Sequence, residues 1–121
     1  MEMPLPEVID RFTICKLKLE RIKEEHLRKE YDTFLGEIDG LREKGLINEE
    51  WIDRLYDLNG KIWDLESDIR KGKDDELGLE EVGRRAIKIR ELNKLRITMK
   101  NKIVESTGLG FKDVKMNHAS Q

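Results

Sequence analysis

The sequence predicts an all-α protein, an antiparallel bundle of three to four long helices with an irregular C-terminal tail. Over most of the chain, apolar residues recur at alternating steps of three and four, which places them along one side of a helix. No stretch alternates between apolar and polar residues with a sustained period of two, so we predict no substantial β-sheet. Charged residues make up 41% of the 121 positions and suit the solvated sides of such helices.

Two apolar series occupy the first third of the chain and predict its first helices. The first series is Val8, Phe12, Cys15, Leu19 and Ile22, and the second is Leu27, Tyr31, Phe34, Ile38 and Leu41. The two series fall out of phase after Ile22, which predicts a break near residues 23–25, with one bent helix as the alternative. Pro4 and Pro6 suit a first helical turn because proline has no backbone N–H to lose there.

The third helix is predicted over Glu49–Arg70. Lys44 and Gly45 end the preceding helix, since a cation is favoured near the negative helix end and glycine accepts a left-handed conformation. Asn48 can then cap the new helix. The third helix carries the longest apolar series, which is Trp51, Leu55, Leu58, Ile62, Leu65 and Ile69.

A charged connection at residues 73–78 precedes the last long helix, which is predicted from about Leu79 to Thr107 and is ended by Gly108. Residues 109–121 form the predicted tail of a single helical domain, 1–121. Leu, Ile, Val and Phe supply 34 of the 121 residues. This share exceeds the roughly 20% below which a highly charged chain is disordered.

Composition excludes several classes of protein. No apolar run approaches the roughly 18 residues that a membrane span needs, and Met1–Arg11 lacks the apolar block of a signal peptide. The single cysteine cannot form an intrachain disulfide, so we expect a cytoplasmic protein. Cys15 lies in an apolar series, and we interpret it as a buried, inert thiol. His26 and His118 are far apart and lack companions for metal binding.

Charge is distributed unevenly between the last two helices. Residues 82–103 contain eight bases and one acid, whereas residues 49–68 contain seven acids and two bases. A basic helix can attract phosphate backbones, but an acidic helix of nearly equal charge lies next to it in sequence. We therefore predict mutual neutralisation, within the fold or across a dimer. Because the overall sequence pI is about 5.8, we expect no nucleic-acid partner.

The third helix also shows a second line of side chains beside its apolar series. This line consists of Tyr56, Asn59, Trp63, Glu66 and Arg70. It mixes aromatic rings with hydrogen-bonding groups, as interfaces and binding clefts do. Slender helices with few aromatic residues also make a thin core. We therefore predict a homodimer that uses this two-sided helix.

Polar lines on three helices predict a shared polar site. Its candidate residues are Asp10, Thr13, Lys18, Trp63, Glu66, Arg70, Asn93, Arg96 and Lys100. One interpretation is a cleft for a small anionic ligand, in which Arg70 and Arg96 grip a carboxylate or phosphate with two hydrogen bonds each. The other is an internal ion network that fixes helix register, because buried charges are costly unless they are paired.

One acidic group invites comparison with a metal site. Glu50, Asp53 and Asp57 lie on one side of the third helix, and helical nucleotide pyrophosphohydrolases of the MazG type bind magnesium with acidic clusters on adjacent helices. Here the three carboxylates fall on the side opposite the apolar series, and no second acidic pair is evident on a facing helix. We interpret them as a solvated face and expect no metal and no cofactor.

The chain contains three recognisable segments, which are Glu7–Lys18, Ile62–Arg70 and Asn93–Ile103. Together they resemble a bacterial family of domains of unknown function that are found near or fused to glycosyltransferases and other polysaccharide-biosynthesis proteins. Residues Glu7–Lys18 are similar to the family's opening Glu-Leu-Ile-Asp-Lys-x-Thr-Ile-Leu-x-Ile-Lys. Residues Ile62–Arg70 match its Leu-Trp-x-Ile-Glu-x-x-Ile-Arg, and Asn93–Ile103 match its Asn-x-x-Arg-x-x-x-Lys-x-x-Ile. The resemblance implies an association with cell-surface glycans and no particular activity.

Three functional hypotheses follow from these features. The first is a non-enzymatic helical interaction or scaffold protein, linked to glycan or polysaccharide biosynthesis. The second is a protein that binds a small anion or a nucleotide sugar through Arg70, Arg96 and Lys100. The third is a metal-dependent nucleotide pyrophosphohydrolase of the all-α type, which would use Glu50 and its acidic neighbours.

Overall fold

The computed structural model describes residues 3–69 and 74–108, and it consists of four helices. These are α1 (Leu5–Ile22), α2 (Glu25–Glu43), α3 (Glu49–Asp68) and α4 (Asp74–Thr107). Within these two ranges there is no β-strand. The all-α prediction is therefore confirmed. The predicted tail, 109–121, lies outside the described residues.

The residues at the helix ends behave as their chemistry predicts. The break between α1 and α2 occurs at Lys23, which has a left-handed backbone with φ of 61°. Gly45 is left-handed as well, with φ of 72°, and the side chain of Asn48 accepts a hydrogen bond from the backbone N–H of Glu50 at 2.9 Å. In α4, the non-helical Gly78 separates one helical turn from the long helix that follows. The predicted charged connection at residues 73–78 and helix start near Leu79 are therefore corrected: α4 begins at Asp74, where acidic residues are favoured at a helix start.

α1 is the central helix of the bundle, and it contacts each of the other three helices. Its buried residues contribute to a main core that also takes residues from α2, α3 and α4. This core consists of Leu5, Val8, Ile9, Phe12, Ile38, Ile52, Leu55, Met99 and Ile103. A smaller second core lies between α3 and α4 and consists of Leu58, Ile62 and Leu92. α3 and α4 run antiparallel, since the start of α3 shares the main core with the end of α4.

The two glycines of α2 do not mark a close helix crossing. A Cβ atom built on Gly36 or Gly40 meets nothing within 4 Å. These residues therefore weaken α2 locally without making room for a neighbour. Gly60 of α3 is different, because its Cβ would lie 3.7 Å from Leu17 of α1.

None of the four helices, over the residues that the structure describes, combines the length and the apolar character needed to cross a bilayer.

Candidate functional site

A group of buried and half-buried polar side chains lies where α1, α3 and α4 meet, and we call it the polar cluster. Its members are Glu7, Asp10 and Thr13 of α1, Asn59 of α3, and Asn93, Arg96 and Lys100 of α4. Asp10 is only 1% exposed and Lys100 only 3% exposed. Groups of this kind cannot be hydrated individually, so their stability depends on the partners that the helices bring to them.

Asp10 is the centre of the polar cluster. Its Oδ1 accepts hydrogen bonds from Asn59 Nδ2 at 2.9 Å and from Arg96 Nε at 3.0 Å. Its Oδ2 accepts a hydrogen bond from Arg96 Nη2 at 2.7 Å. Arg96 thus holds the carboxylate with two parallel bonds, the geometry in which an arginine–carboxylate pair is strongest.

The second cation of the polar cluster is shared between two carboxylates. Lys100 forms an ion pair with Glu7, and its Nζ lies 3.7 Å from Oδ2 of Asp10. Two carboxylates and two cations therefore balance in charge. So many charges can lie close together in the polar cluster because each one has an opposite charge within reach.

Neutral side chains complete the arrangement. Asn59 Nδ2 also donates to Thr13 Oγ1 at 2.9 Å, and the Thr13 hydroxyl donates to the backbone carbonyl of Asp10 at 2.7 Å. Arg96 Nη1 donates to Oδ1 of Asn93 at 3.2 Å. The amide of Asn59 is therefore the contribution of α3, and it connects that helix to the α1 carboxylate.

The electrostatic balance keeps Asp10 ionised. Burial by itself would raise the pKa of Asp10, but the hydrogen bonds and charge of Arg96, with Asn59 and Lys100, outweigh burial. The pKa of Asp10 consequently lies below its ordinary value of 3.8. The carboxylate is a fixed negative charge at neutral pH and acts as an acceptor for its neighbours.

The structure brings together five of the nine predicted site residues. These are Asp10, Thr13, Asn93, Arg96 and Lys100. The sequence-based set omitted Glu7 and Asn59. Asn59 was already part of the second line on the third helix, and Glu7 lies one helical turn before Asp10, so both had a signal in the sequence.

Two of the other four predicted site residues, Lys18 and Trp63, have partners outside the polar cluster. Lys18 lies 3.9 Å from Glu30 of α2, in a partly exposed ion pair. The ring of Trp63 lies beneath the guanidinium of Arg21, whose carbon is 5.8 Å from the ring centroid. Glu66 is half-buried on α3, about two helical turns after Asn59. Arg70 lies outside the described residues.

Both the second line and the apolar line of α3 make contacts with other helices of the same chain. Its second line meets α1, where Tyr56 donates a hydrogen bond to Glu20, Asn59 reaches Asp10, and Trp63 meets Arg21. Its apolar line meets α4 through the second core. The two-sided character of this helix therefore has an intramolecular explanation, and it does not by itself support a homodimer.

Some basic residues of α4 pair with carboxylates of neighbouring helices, and others face the solvent. Arg85 pairs with Asp68 of α3 at 2.7 Å, as the predicted neutralisation between these helices requires. Three other cations, Lys88, Arg90 and Lys94, are exposed, and no carboxylate of the described residues pairs with them. Neutralisation within the fold is thus partial, and positive charge remains on the outer side of α4.

The other candidate functional residues are either exposed on the surface or chemically inert. Glu50, Asp53 and Asp57 are exposed, and the described part of the chain contains no group of three His, Cys, Asp or Glu side chains positioned to hold a metal ion. Cys15 is buried, and its thiol donates to Glu30 at 3.2 Å. Burial, together with that carboxylate, raises the pKa of Cys15 to about 12, which keeps it a thiol at neutral pH.

No protein-family model matches the chain, and searches of the curated proteins and of the solved structures returned no match either.

Proposed function

We propose that the protein is a non-enzymatic helical interaction or scaffold protein, in which the polar cluster sets how α1, α3 and α4 pack. One observation carries this proposal: Arg96 and Lys100, the cations best placed to receive an anion, are both held by carboxylates of α1. A ligand would have to displace Asp10 or Glu7 to reach them. The cluster therefore supports a structural role, and interaction is left to the outer helix faces.

The energetics of buried charge support the same assignment. A buried ion pair contributes little to net stability compared with an apolar pair, but removing one partner is costly. Such a network favours the one alignment of helices in which every charge is matched. A scaffold needs this property because its surface has to be presented in a fixed geometry.

The biological setting of the proposal comes from the sequence. The resemblance to a family found near glycosyltransferases suggests a scaffold that serves glycan or polysaccharide biosynthesis. The single cysteine, buried and protonated, is compatible with the cytoplasm, where we place the protein.

A small-anion or nucleotide-sugar binding protein is the second candidate, and one observation favours it. The side chain of Arg96 is 25% exposed, so part of its guanidinium reaches the surface of the bundle. An anion at this exposed part of Arg96 would compete with Asp10 and Asn93, which already accept its hydrogen bonds.

A ligand screen by thermal unfolding separates the two candidates. The probes are pyrophosphate, UDP, UDP-glucose and magnesium chloride, each at millimolar concentration. A ligand present at 100 times its Kd would stabilise the protein by about 2.7 kcal/mol, which is roughly 10 °C for a domain of this size. The scaffold proposal predicts no shift of this order. The decisive result is a Tm shift that occurs in the wild type and in Arg90→Gln but not in Arg96→Gln. This result would establish the anion site and refute the scaffold proposal.

A further inference from the structure

The outer side of α4 carries both positive charge and exposed apolar surface. Lys88, Arg90 and Lys94 are exposed there, and Glu91 is the acid among them. Ile87 is 49% exposed and Leu95 is 54% exposed. We call these five cationic and apolar residues the basic strip. Ile87 and Lys94 are seven residues apart, as are Lys88 and Leu95, so they form two adjacent rows on one side of the helix.

The outer side of α3 carries the opposite charge. Glu50, Asp53 and Asp57 are exposed at spacings of three and four residues, and we call them the acidic strip. Counting the neighbouring exposed residues Glu49, Arg54, Lys102 and Glu105, this end of the α3–α4 pair has five acids and two bases. With its exposed neighbours Lys61, Asp64 and Glu91, the basic strip has four bases and two acids.

The two strips lie at opposite ends of the antiparallel α3–α4 pair. Ile52 and Leu55, next to the acidic strip, share the main core with Met99 and Ile103 of α4. The basic strip lies near the other end, where Ile62 packs with Leu92 and Asp68 pairs with Arg85. Charge is therefore polarised along the pair, negative towards one end and positive towards the other.

We propose that a second copy of the chain covers this surface, with the basic strip of each protomer against the acidic strip of the other. A two-fold axis that lies in the contact plane, perpendicular to the line joining the two strips, places each strip against the other strip of the partner, so it brings unlike charges together at both halves of the contact. This proposal rests on the proposed interaction function and names its partner. Among possible occupants, a second copy is the one whose complementary charge is visible on the same molecule.

The dimensions of the strips determine how strong this dimer is. Residues 87–95 and 50–57 each extend for roughly 11–12 Å at 1.5 Å per residue, and a helix is about 10 Å wide. Two contacts of this size bury less surface than the roughly 800 Å² per partner of a standard stable interface. The dimer is accordingly weak and sensitive to salt, with Ile87 and Leu95 supplying its apolar part.

Sedimentation equilibrium on the full chain tests the proposal. The wild type is expected to dimerise with a Kd in the micromolar to submillimolar range at about 50 mM NaCl, and to dissociate at least tenfold more readily at about 500 mM NaCl. The double variant Lys88→Glu with Lys94→Glu is expected to weaken dimerisation at least tenfold. Adding Asp53→Lys and Asp57→Lys to that chain exchanges the charges of both strips and is expected to restore the dimer.

The controls make each outcome decisive. Lys29→Glu reverses an exposed charge on α2 and is expected to leave the Kd unchanged, while circular dichroism checks that every variant is folded. A wild type that stays monomeric at about 1 mM protein overturns the proposal. A dimer whose Kd is unchanged by Lys88→Glu with Lys94→Glu also overturns it. Binding of monomers to phosphatidylserine vesicles through the basic strip would overturn it as well. None of these outcomes depends on the ligand screen, so failure of the dimer is distinguishable from failure of the scaffold function.

Discussion

The centre of the polar cluster offers the sharpest test of the structure. Asp10→Asn keeps the size of the side chain but removes its charge and replaces one acceptor with a donor. The new amide group would face Arg96 Nη2 or Lys100, both of which are donors. Arg96 would lose its two-bond partner, and Lys100 would keep Glu7 alone.

The size of the effect follows from burial. Removing one partner of a buried ion pair costs about 3–5 kcal/mol. Since the Arg96 side chain is partly exposed and can recover some hydration, we expect the low end, about 3 kcal/mol. For a chain of this length, that corresponds to a fall in Tm of roughly 12 °C.

The assay is urea unfolding of both proteins at neutral pH and again near pH 3. Because the pKa of Asp10 is lower in the folded chain than its ordinary 3.8, its charge stabilises the fold above that value. This contribution is lost as the pH falls through the lowered pKa, so the difference between wild type and Asp10→Asn should shrink in strong acid. Asp32→Asn, at an exposed pair with Arg28, is the matched control and should cost less than about 0.5 kcal/mol. A loss below about 1 kcal/mol for Asp10→Asn, or a gap unchanged near pH 3, would refute this account of the cluster.

Four further predictions concern single residues. Cys15, with a thiol pKa of about 12, should react with a disulfide reagent at pH 8 at least 100-fold more slowly in the folded chain than in urea, as followed by absorbance. Gly40→Ala should raise the free energy of unfolding by about 0.5–1 kcal/mol, since the residue is helical and its Cβ meets open space. Gly45→Ala should instead lower it by about 1 kcal/mol because of the left-handed backbone, and a stabilised variant in chemical denaturation would contradict that assignment. Asn48→Ala should cost about 1 kcal/mol by removing the cap of α3, and equal Tm values for the two proteins would show that the cap is not used.

Helix identity and helix ends were predictable because both depend on local chemistry. The steps of three and four define which residues share a side of a helix, and residues such as Asn48 and Gly45 act on the backbone next to them. Such signals do not require knowledge of how the helices pack. The pattern therefore predicts the helix boundaries within about two residues, except for the start of α4, which lies at Asp74 and not near Leu79.

The composition of the polar cluster was only partly predictable, because periodicity gives the side of a helix and not the height along it. Lys18 follows Asp10 by eight residues, which is about 12 Å along α1. In the antiparallel α4, moving from Arg96 to Lys100 corresponds to moving backwards along α1, from Asp10 to Glu7. The relative heights of α1, α3 and α4 depend on packing of the whole core, and the sequence pattern of one helix does not contain them.

The same reasoning explains the basic residues of α4. Their number was evident from the sequence, but their division depends on which neighbours lie on each side. Arg96 and Lys100 turn towards the carboxylates of α1, whereas Lys94 turns outward. A net charge for the helix could not distinguish these environments.

The unequal sizes of the two cores imply that the bundle does not open evenly. In the described residues, the main core draws on all four helices, while the second core joins only α3 and α4. Local opening requires the least free energy where the fewest apolar groups are buried. Amide protons around Ile62 and Leu92 should therefore exchange with deuterium sooner than those around Leu55 and Ile103. The first excited state of this fold would then be a native-like state that has lost only the contacts of the second core.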